Sequence, residues 1–360
     1  MTGLQAVSGA AIAWNIVTAA GGTVGAILAY HAGLPLPFLL GSLIAVAVIS
    51  AAAPVRIAPR FRNTMVAVLG VLLGSAFTPQ FVETAASNAV AFLFLVPFTL
   101  GATAIVFTIL RRTTSLDQTT AYFSAVPGGV NEMTMLGAER GGDEAALAVH
   151  HSIRVILVIV VVSLIFAALY GRGATVGVLP KAESLDLRDY GLIALIGAGG
   201  VVLGRMARTP APFILGPLAV SAVVHVVGWT DVKPDFLLVS AAQIVAGSAL
   251  GTQFRRFSRR DLVSAGMNAV KIATLLIVLT VAFAYAMTFV VDRPFGVLLI
   301  TYAPGGLGEM GLIALSVGAD AAFVSTGQVV RFFLVVSFAA FFHRPYASLL
   351  GGALRHKAGL

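Results

Sequence analysis

Residues 124–158 read SAVPGGVNEMTMLGAERGGDEAALAVHHSIRVILV, and residues 301–335 repeat the pattern as TYAPGGLGEMGLIALSVGADAAFVSTGQVVRFFLV. At a constant offset of 177 positions Pro127 falls on Pro304, Gly128 and Gly129 on Gly305 and Gly306, Glu132 on Glu309, Met133 on Met310, and Arg154 on Arg331. Earlier segments match as well: LPLPFLLGSL at 34–43 lies over TPAPFILGPL at 209–218, and LGVLLGSAF at 69–77 over AGSALGTQF at 246–254. The chain is therefore an internal duplication that covers nearly its whole length, and any fold must place each half twice. Gly22 and Gly25 fall on Gly197 and Gly200, a small-residue spacing that lets transmembrane helices approach closely, so packing is their expected role.

The 360 residues are 58% hydrophobic and only 11% charged, with mean hydropathy +0.96. Soluble domains carry about a quarter charged residues. Apolar stretches recur from end to end with short polar breaks, which implies a polytopic membrane protein and leaves no room for a soluble catalytic or DNA-binding module. The net charge of +8 sits in short clusters between apolar stretches, where it sets orientation and does not attract nucleic acid. Without cysteine the chain can hold no disulfide, thiolate metal site or iron–sulfur cluster. The first basic residue is Arg56, so the apolar N-terminus lacks the charged start of a signal peptide and is expected to be a retained helix.

Spans are expected at about 9–30, 36–53, 64–79, 85–110 and 145–170 in the first half, and at about 190–204, 212–229, 237–254, 264–290 and 320–343 in the second. A Pro-Gly-Gly segment precedes the last span of each half, at 117–139 and 296–318. The basic residues then relate the halves. In the first they follow span two (Arg56, Arg60, Arg62) and span four (Arg111, Arg112); in the second they follow span one (Arg205, Arg208), span three (Arg255, Arg256, Arg259, Arg260) and the last span (Arg344, Arg355, Lys357). All lie on the cytoplasmic side if the second half is inserted upside down. The expected fold is all-α, with two inverted repeats of about five transmembrane helices, each carrying a broken or re-entrant helix. Residues 9–170 form the first repeat, 171–189 an extracytoplasmic linker, 190–343 the second repeat and 344–360 a cytoplasmic tail. Both termini are then cytoplasmic.

Proline followed by two glycines breaks a helix, and broken backbone at membrane depth survives only inside protein or beside a wet cavity. In an inverted repeat two such breaks enter from opposite faces and can meet near the midplane, where helix ends offer N–H groups to an anion or carbonyls to a cation. Arg154 and Arg331 each follow an aspartate, Asp143 or Asp320, by eleven residues. That is about 16 Å along a helix, near the middle of a hydrocarbon core about 30 Å thick. An arginine at that depth costs several kcal/mol unless it faces a cavity or a partner. Two roles are open to the pair: ion pairs with Glu132 or Glu309, or a guanidinium clamp on an anion. Glu132 and Glu309, three residues past each glycine pair, fit charge balance or the binding of a coupling proton or sodium ion. Asn131 faces Gly308, and His150 and His151 face Gly327 and Gln328, so the site is expected to be asymmetric, with histidines that either titrate near neutral pH or simply hydrogen-bond. The six histidines show no metal-ligand spacing.

At PGGVNEMTMLGAERGGDEAALAVHHSIRVILVIV and its echo the chain resembles the bacterial membrane AbrB family, whose hallmark is a duplicated membrane domain. Length, duplication and both Pro-Gly-Gly motifs match over roughly residues 15–345; the second copy departs by Gly308 and by lacking the histidine pair. Family members carry labels of gene regulator and of ammonia monooxygenase. The resemblance thus implies fold and location, while the scarcity of metal ligands speaks against an oxygenase. The expectation is a multi-pass protein of the bacterial inner membrane that is not an enzyme and needs no cofactor. It would transport a small organic anion held by Gly128, Gly129, Asn131, Arg154, Gly305, Gly306 and Arg331, with Glu132, Glu309, His150 and His151 for coupling or charge balance. A membrane regulator that binds a small molecule without moving it is the alternative. The lipid bilayer, the anion and a coupling Na+ or H+ are the expected partners; a homo-oligomer is compatible with the sequence, and nucleic acid is not a partner.

Overall fold

The computed structural model describes residues 9–34, 36–83, 85–170, 185–209, 211–256 and 259–355, with the side chains of 9–11, 85–87, 131, 170, 256, 259–264 and 339–355 outside the description. Every regular element among these residues is helical. The first half contributes α1 (Gly9–His31), α2 (Pro37–Ser50), α3 (Pro59–Gly74), α4 (Pro79–Glu83), α5 (Ala85–Leu93), α6 (Leu95–Thr113), α7 (Gln118–Ala125), α8 (Val130–Ala138) and α9 (Glu144–Tyr170). The second contributes α10 (Leu187–Met206), α11 (Pro212–Val226), α12 (Phe236–Thr252), α13 (Arg259–Met287), α14 (Phe295–Tyr302), α15 (Leu307–Ser316) and α16 (Ala321–Arg355). Seven helical segments among the described residues are long and apolar enough to cross a membrane, so the protein is a multi-pass membrane protein.

Helix ends follow local chemistry and account for the differences from the expected spans. Proline occupies the first turn of α2, α3 and α11, where its missing N–H costs nothing. This start at Pro59 draws Arg60 and Arg62 into α3, five residues ahead of the expected span. α10 begins at Leu187 because Asp186 accepts from the Asp189 N–H at 2.9 Å while Asp189 reaches back to the Asp186 N–H at 3.1 Å, a reciprocal cap. Asp235 caps α12 through the Leu238 N–H and also accepts from the Tyr190 hydroxyl at 2.6 Å. These aspartates are helix caps. α16 continues as helix to Arg355, past the expected end at 343.

The chain forms two compact units, and each draws on both halves. The first contains α1, α2, α3 and α4 together with α10, α11 and α12. Glycine sets its contacts. A Cβ on Gly25 would fall on the Gly41 carbonyl, and one on Gly216 would fall on the Gly200 carbonyl, so α1 meets α2, and α10 meets α11, backbone to backbone. The next contacts cross between halves. A Cβ on Gly70 of α3 would lie 2.7 Å from the Ile214 carbonyl of α11, and one on Gly74 would fall on the Leu218 carbonyl. On α12, Gly247 meets the Leu39 carbonyl of α2, and Gly251 stands 2.7 Å from that of Leu43 by the same measure. Ser221 adds a hydrogen bond of 2.8 Å to the Val71 carbonyl. Gly22, Gly25 and Gly200 therefore pack as expected, whereas Gly197, though buried, meets only Val71 at an ordinary 3.7 Å. Leu36 and Ala211, each just before the proline that starts α2 or α11, hold left-handed backbone at φ 44° and 53°, a conformation that L side chains rarely adopt.

The second unit contains α5 to α8, residues 144–162 of α9, then α13, α14, most of α15, and α16 from Phe323 onward. Val149 of α9 packs with Ala265 and Ala269 of α13. Tyr302, at the end of α14, donates its hydroxyl to the Ala91 carbonyl of α5 at 2.7 Å, and its ring meets Phe98 and Phe283 edge-on. Asp117 caps α7, and Thr120 one turn later accepts from the Asp143 N–H at 2.8 Å, which ties the start of α7 to the start of α9.

Candidate functional site

The two Pro-Gly-Gly segments are the helix breaks between α7 and α8 and between α14 and α15, both inside the second unit. Val126 and Ala303, the residues before the prolines, are extended, as a following proline requires. A tight turn then folds over each proline: the Gly128 N–H donates to the Val126 carbonyl at 2.9 Å, and the Gly305 N–H to the Ala303 carbonyl at 2.8 Å. Each break leaves carbonyls at the end of one short helix and N–H groups at the start of the next, with no further turn of helix to satisfy them.

Arginines take the carbonyl side. Arg154 donates from Nη1 to the Val126 carbonyl at 3.1 Å and from Nη2 to the Gly128 carbonyl. Arg331 donates from Nη1 to the Ala303 carbonyl and from Nη2 to the Gly305 carbonyl at 2.6 Å. The four acceptors are related by the same 177-residue offset as the arginines. Both guanidinium groups are buried, at 1% and 4% exposure, and they lie close enough to interact electrostatically. Their positive charge stands at the negative ends of α7 and α14, where the helix dipole favours it. Among the described residues no carboxylate forms an ion pair with either arginine, so the pairing with Glu132 or Glu309 considered from sequence does not form.

Each arginine is also braced from its own helix. His151 Nδ1 accepts from Arg154 at 3.0 Å, and the Gln328 side-chain oxygen accepts from Arg331. With Nδ1 accepting, the neutral imidazole carries its proton on Nε2, which has no hydrogen-bonded partner. Gln328 uses its amide donor on the Ile300 and Thr301 carbonyls at 2.8 and 3.1 Å. His151 and Gln328, expected to make the halves differ, therefore do the same task, and Gln328 joins the expected site residues. The asymmetry lies one position earlier. His150 is buried and pairs through Nδ1 with the Ser124 hydroxyl at 2.7 Å, whereas its counterpart Gly327 has no side chain because the Thr301 methyl fills that space.

A glutamate stands on the N–H side of each break. Glu132 and Glu309 are the third residues of α8 and α15, and their carboxylates fold back over Gly129 and Gly306, where a Cβ would strike them. Negative charge at a helix start complements the dipole there. The first glycine of each pair makes room differently, since a Cβ on Gly128 or Gly305 would lie 2.5 Å from the side chain of Met133 or Met310. The spacing Gly-Gly-x-x-Glu-Met thus matches the second glycine to the glutamate and the first to the methionine. A Cβ on Gly128 would also lie 2.7 Å from Val335, one turn beyond Arg331, so the first break abuts the helix that serves the second. Asn131 lies in α8, with its side chain outside the described residues. Among the described residues no three His, Cys, Asp or Glu side chains are grouped to hold a metal ion.

The chain is similar to known proteins over most of its length. The family model described as "Transition state regulatory protein AbrB" matches residues 38–346. The chain is similar to "Putative regulator AbrB" of Escherichia coli strain K12, with 27% identity over 86% of this chain and 89% of that protein. It is also similar to "Uncharacterized protein YhjN" of Bacillus subtilis strain 168, with 25% identity over 68% of this chain and 67% of that protein. With the family model covering most of a chain whose helices are built to cross a bilayer repeatedly, this protein belongs to the AbrB family as a membrane-embedded member.

Proposed function

We propose that this protein is a secondary transporter of the bacterial inner membrane whose cargo is a small organic anion such as a carboxylate or sulfonate. The observation that carries the proposal is the pair of buried guanidinium groups, free of ion-paired carboxylates among the described residues, at two matched helix breaks within one unit. Broken backbone and buried charge at membrane depth are costly, and in membrane proteins they accompany substrate and ion pathways. The arginines supply a positive field while positioning the turns at Gly128 and Gly305, and the N–H groups at the starts of α8 and α15 supply donors for the cargo. Glu132 and Glu309, half-buried at those starts, balance charge or carry the coupling H+ or Na+. The protein would act without catalysis or cofactor.

Two inverted repeats are part of the proposal, with both termini cytoplasmic. The matched glycine contacts of α1 on α2 and α10 on α11, and the reciprocal contacts of α3 on α11 and α12 on α2, support a two-fold relation between the halves. Two units, each drawing on both halves, suit access that alternates by rigid-body movement. Because the chain has no cysteine, single cysteines at Ser115 and Ser184 are expected to label from opposite faces of the membrane; labelling of both from one face rejects the inversion.

A thermal-shift screen of purified protein against small carboxylates and sulfonates, with and without sodium and across pH, tests the anion site. A ligand specific to the folded state adds about 2.7 kcal/mol of apparent stability at a hundredfold excess over its dissociation constant. At least one anion is expected to raise the melting temperature of the wild type and to lose that effect in Arg154→Ala. If no anion shifts the wild type while Arg154→Ala is itself destabilised, the arginine is a structural clip and the anion site is rejected. The name of the Escherichia coli relative favours one other function, a membrane regulator that binds a small molecule in the same place and signals without moving it. Saturable binding without flux distinguishes that case.

A further inference from the structure

The first unit holds a cavity of about 710 Å3 between α3 and α10 that the transport proposal does not use. Its volume lies within the range of about 300–1,000 Å3 typical of small-molecule sites. On α10 the wall is built from Ala194, Gly197, Ala198 and Val201, spaced to share one helical face and mostly small, which is what leaves the groove open. The wall is overwhelmingly apolar, and its charged groups are confined to one end. Arg60, in the first turn of α3, and Arg205, in the last turn of α10, both line it there, while Tyr190 marks the other end.

This layout has the dimensions and polarity of a membrane lipid. From Tyr190 to Arg205 the groove follows α10 for about 22 Å, enough for the roughly 15 Å of one hydrocarbon leaflet and a headgroup. The Arg205 guanidinium stacks over the Phe213 ring at 4.8 Å, which fixes its plane and leaves its N–H edge free. Neither Arg60 nor Arg205 has a hydrogen-bonded or ion-paired side-chain partner among the described residues. Basic pockets between transmembrane helices suit anionic headgroups. A second copy of this chain is a poorer occupant, because a two-fold axis along the membrane normal would set these arginines against their own copies at the same depth.

We propose that this groove binds one anionic phospholipid, with its phosphate between Arg60 and Arg205 and one acyl chain along the Ala194–Val201 face of α10. The site is independent of the helix breaks, so it stands whether or not the protein transports an anion.

Native mass spectrometry of the full chain in detergent, titrated with equal amounts of phosphatidylglycerol and phosphatidylcholine, tests it. The wild type is expected to retain one phosphatidylglycerol in preference to phosphatidylcholine. Arg60→Gln and Arg205→Gln should each lower that preference about fivefold, the factor associated with one basic residue at a lipid headgroup. Ala198→Trp, which fills the groove, should lose the bound lipid. Equal retention of the two lipids by the wild type overturns the proposal, as does undiminished lipid binding in Ala198→Trp. Displacement of the lipid by millimolar inorganic phosphate, or a dimer that Ala198→Trp disrupts, would reassign the groove to a soluble anion or to a second copy. If Ala198→Trp does not fold, the two arginine variants decide the matter alone.

Discussion

Arg331→Met is expected to destabilise the folded protein by about 3 kcal/mol, seen as a fall of roughly 5–10 °C in the melting temperature in detergent. Methionine keeps the length and the apolar stem but donates nothing. The Gly305 carbonyl and the Gln328 amide oxygen then lose the guanidinium donor, while the Ala303 carbonyl keeps the Gly305 N–H. A buried acceptor left unsatisfied costs about 1–3 kcal/mol. Against this, the variant no longer buries a cation, which returns part of the loss. Arg154→Met should behave alike, because Arg154 holds the Val126 and Gly128 carbonyls in the same way. Arg331→Lys should recover only part of the stability, since one ammonium cannot fork across two carbonyls. A methionine variant as stable as the wild type would show that the guanidinium does not hold the break.

The helices and the breaks were legible in the sequence because each has a one-dimensional signature. Apolar length marks α1, α6, α9 and α13, and proline with paired glycines marks the interruptions after α7 and α14. The burial of Arg154 and Arg331 followed from their place well inside apolar helices. What each arginine holds was not legible, because the acceptors are backbone carbonyls, which every sequence has. For the same reason Gln328 was missed: its alignment with His151 suggested a difference in type, while the function they share is to offer one acceptor to an arginine on the same helix face. The one signal available was a side-chain acceptor at matched positions, three residues before each arginine. The true asymmetry, Ser124 and His150 against Thr301 and Gly327, shows only when the space over Gly327 is seen to be filled by a methyl.

Packing partners also escaped the sequence. Gly70, Gly74, Gly247 and Gly251 advertise close helix contacts, yet nothing in their spacing says that α3 seeks α11 and α12 seeks α2. Gly197 carries the same spacing signal as Gly200 and lines a groove instead. Small residues permit approach; a neighbour of complementary shape decides whether it happens. Helix starts moved by several residues where proline or a reciprocal aspartate cap took precedence over the hydropathy pattern, as at Pro59 and Asp186.

Loss of transport is the other large effect expected. The field and the turn geometry at each break depend on one guanidinium, and Arg331→Lys keeps the charge while losing the two-carbonyl grip. A misplacement worth about 1.4 kcal/mol lowers flux tenfold. Uptake of labelled small carboxylates and sulfonates into proteoliposomes, under imposed proton or sodium gradients, measures this directly. The account predicts saturable, gradient-driven uptake by the wild type and a loss of about tenfold or more in Arg331→Lys. An anion that raises the melting temperature of the wild type yet crosses the membrane no faster than in empty liposomes, under every gradient, would contradict it and identify a binding protein that does not transport.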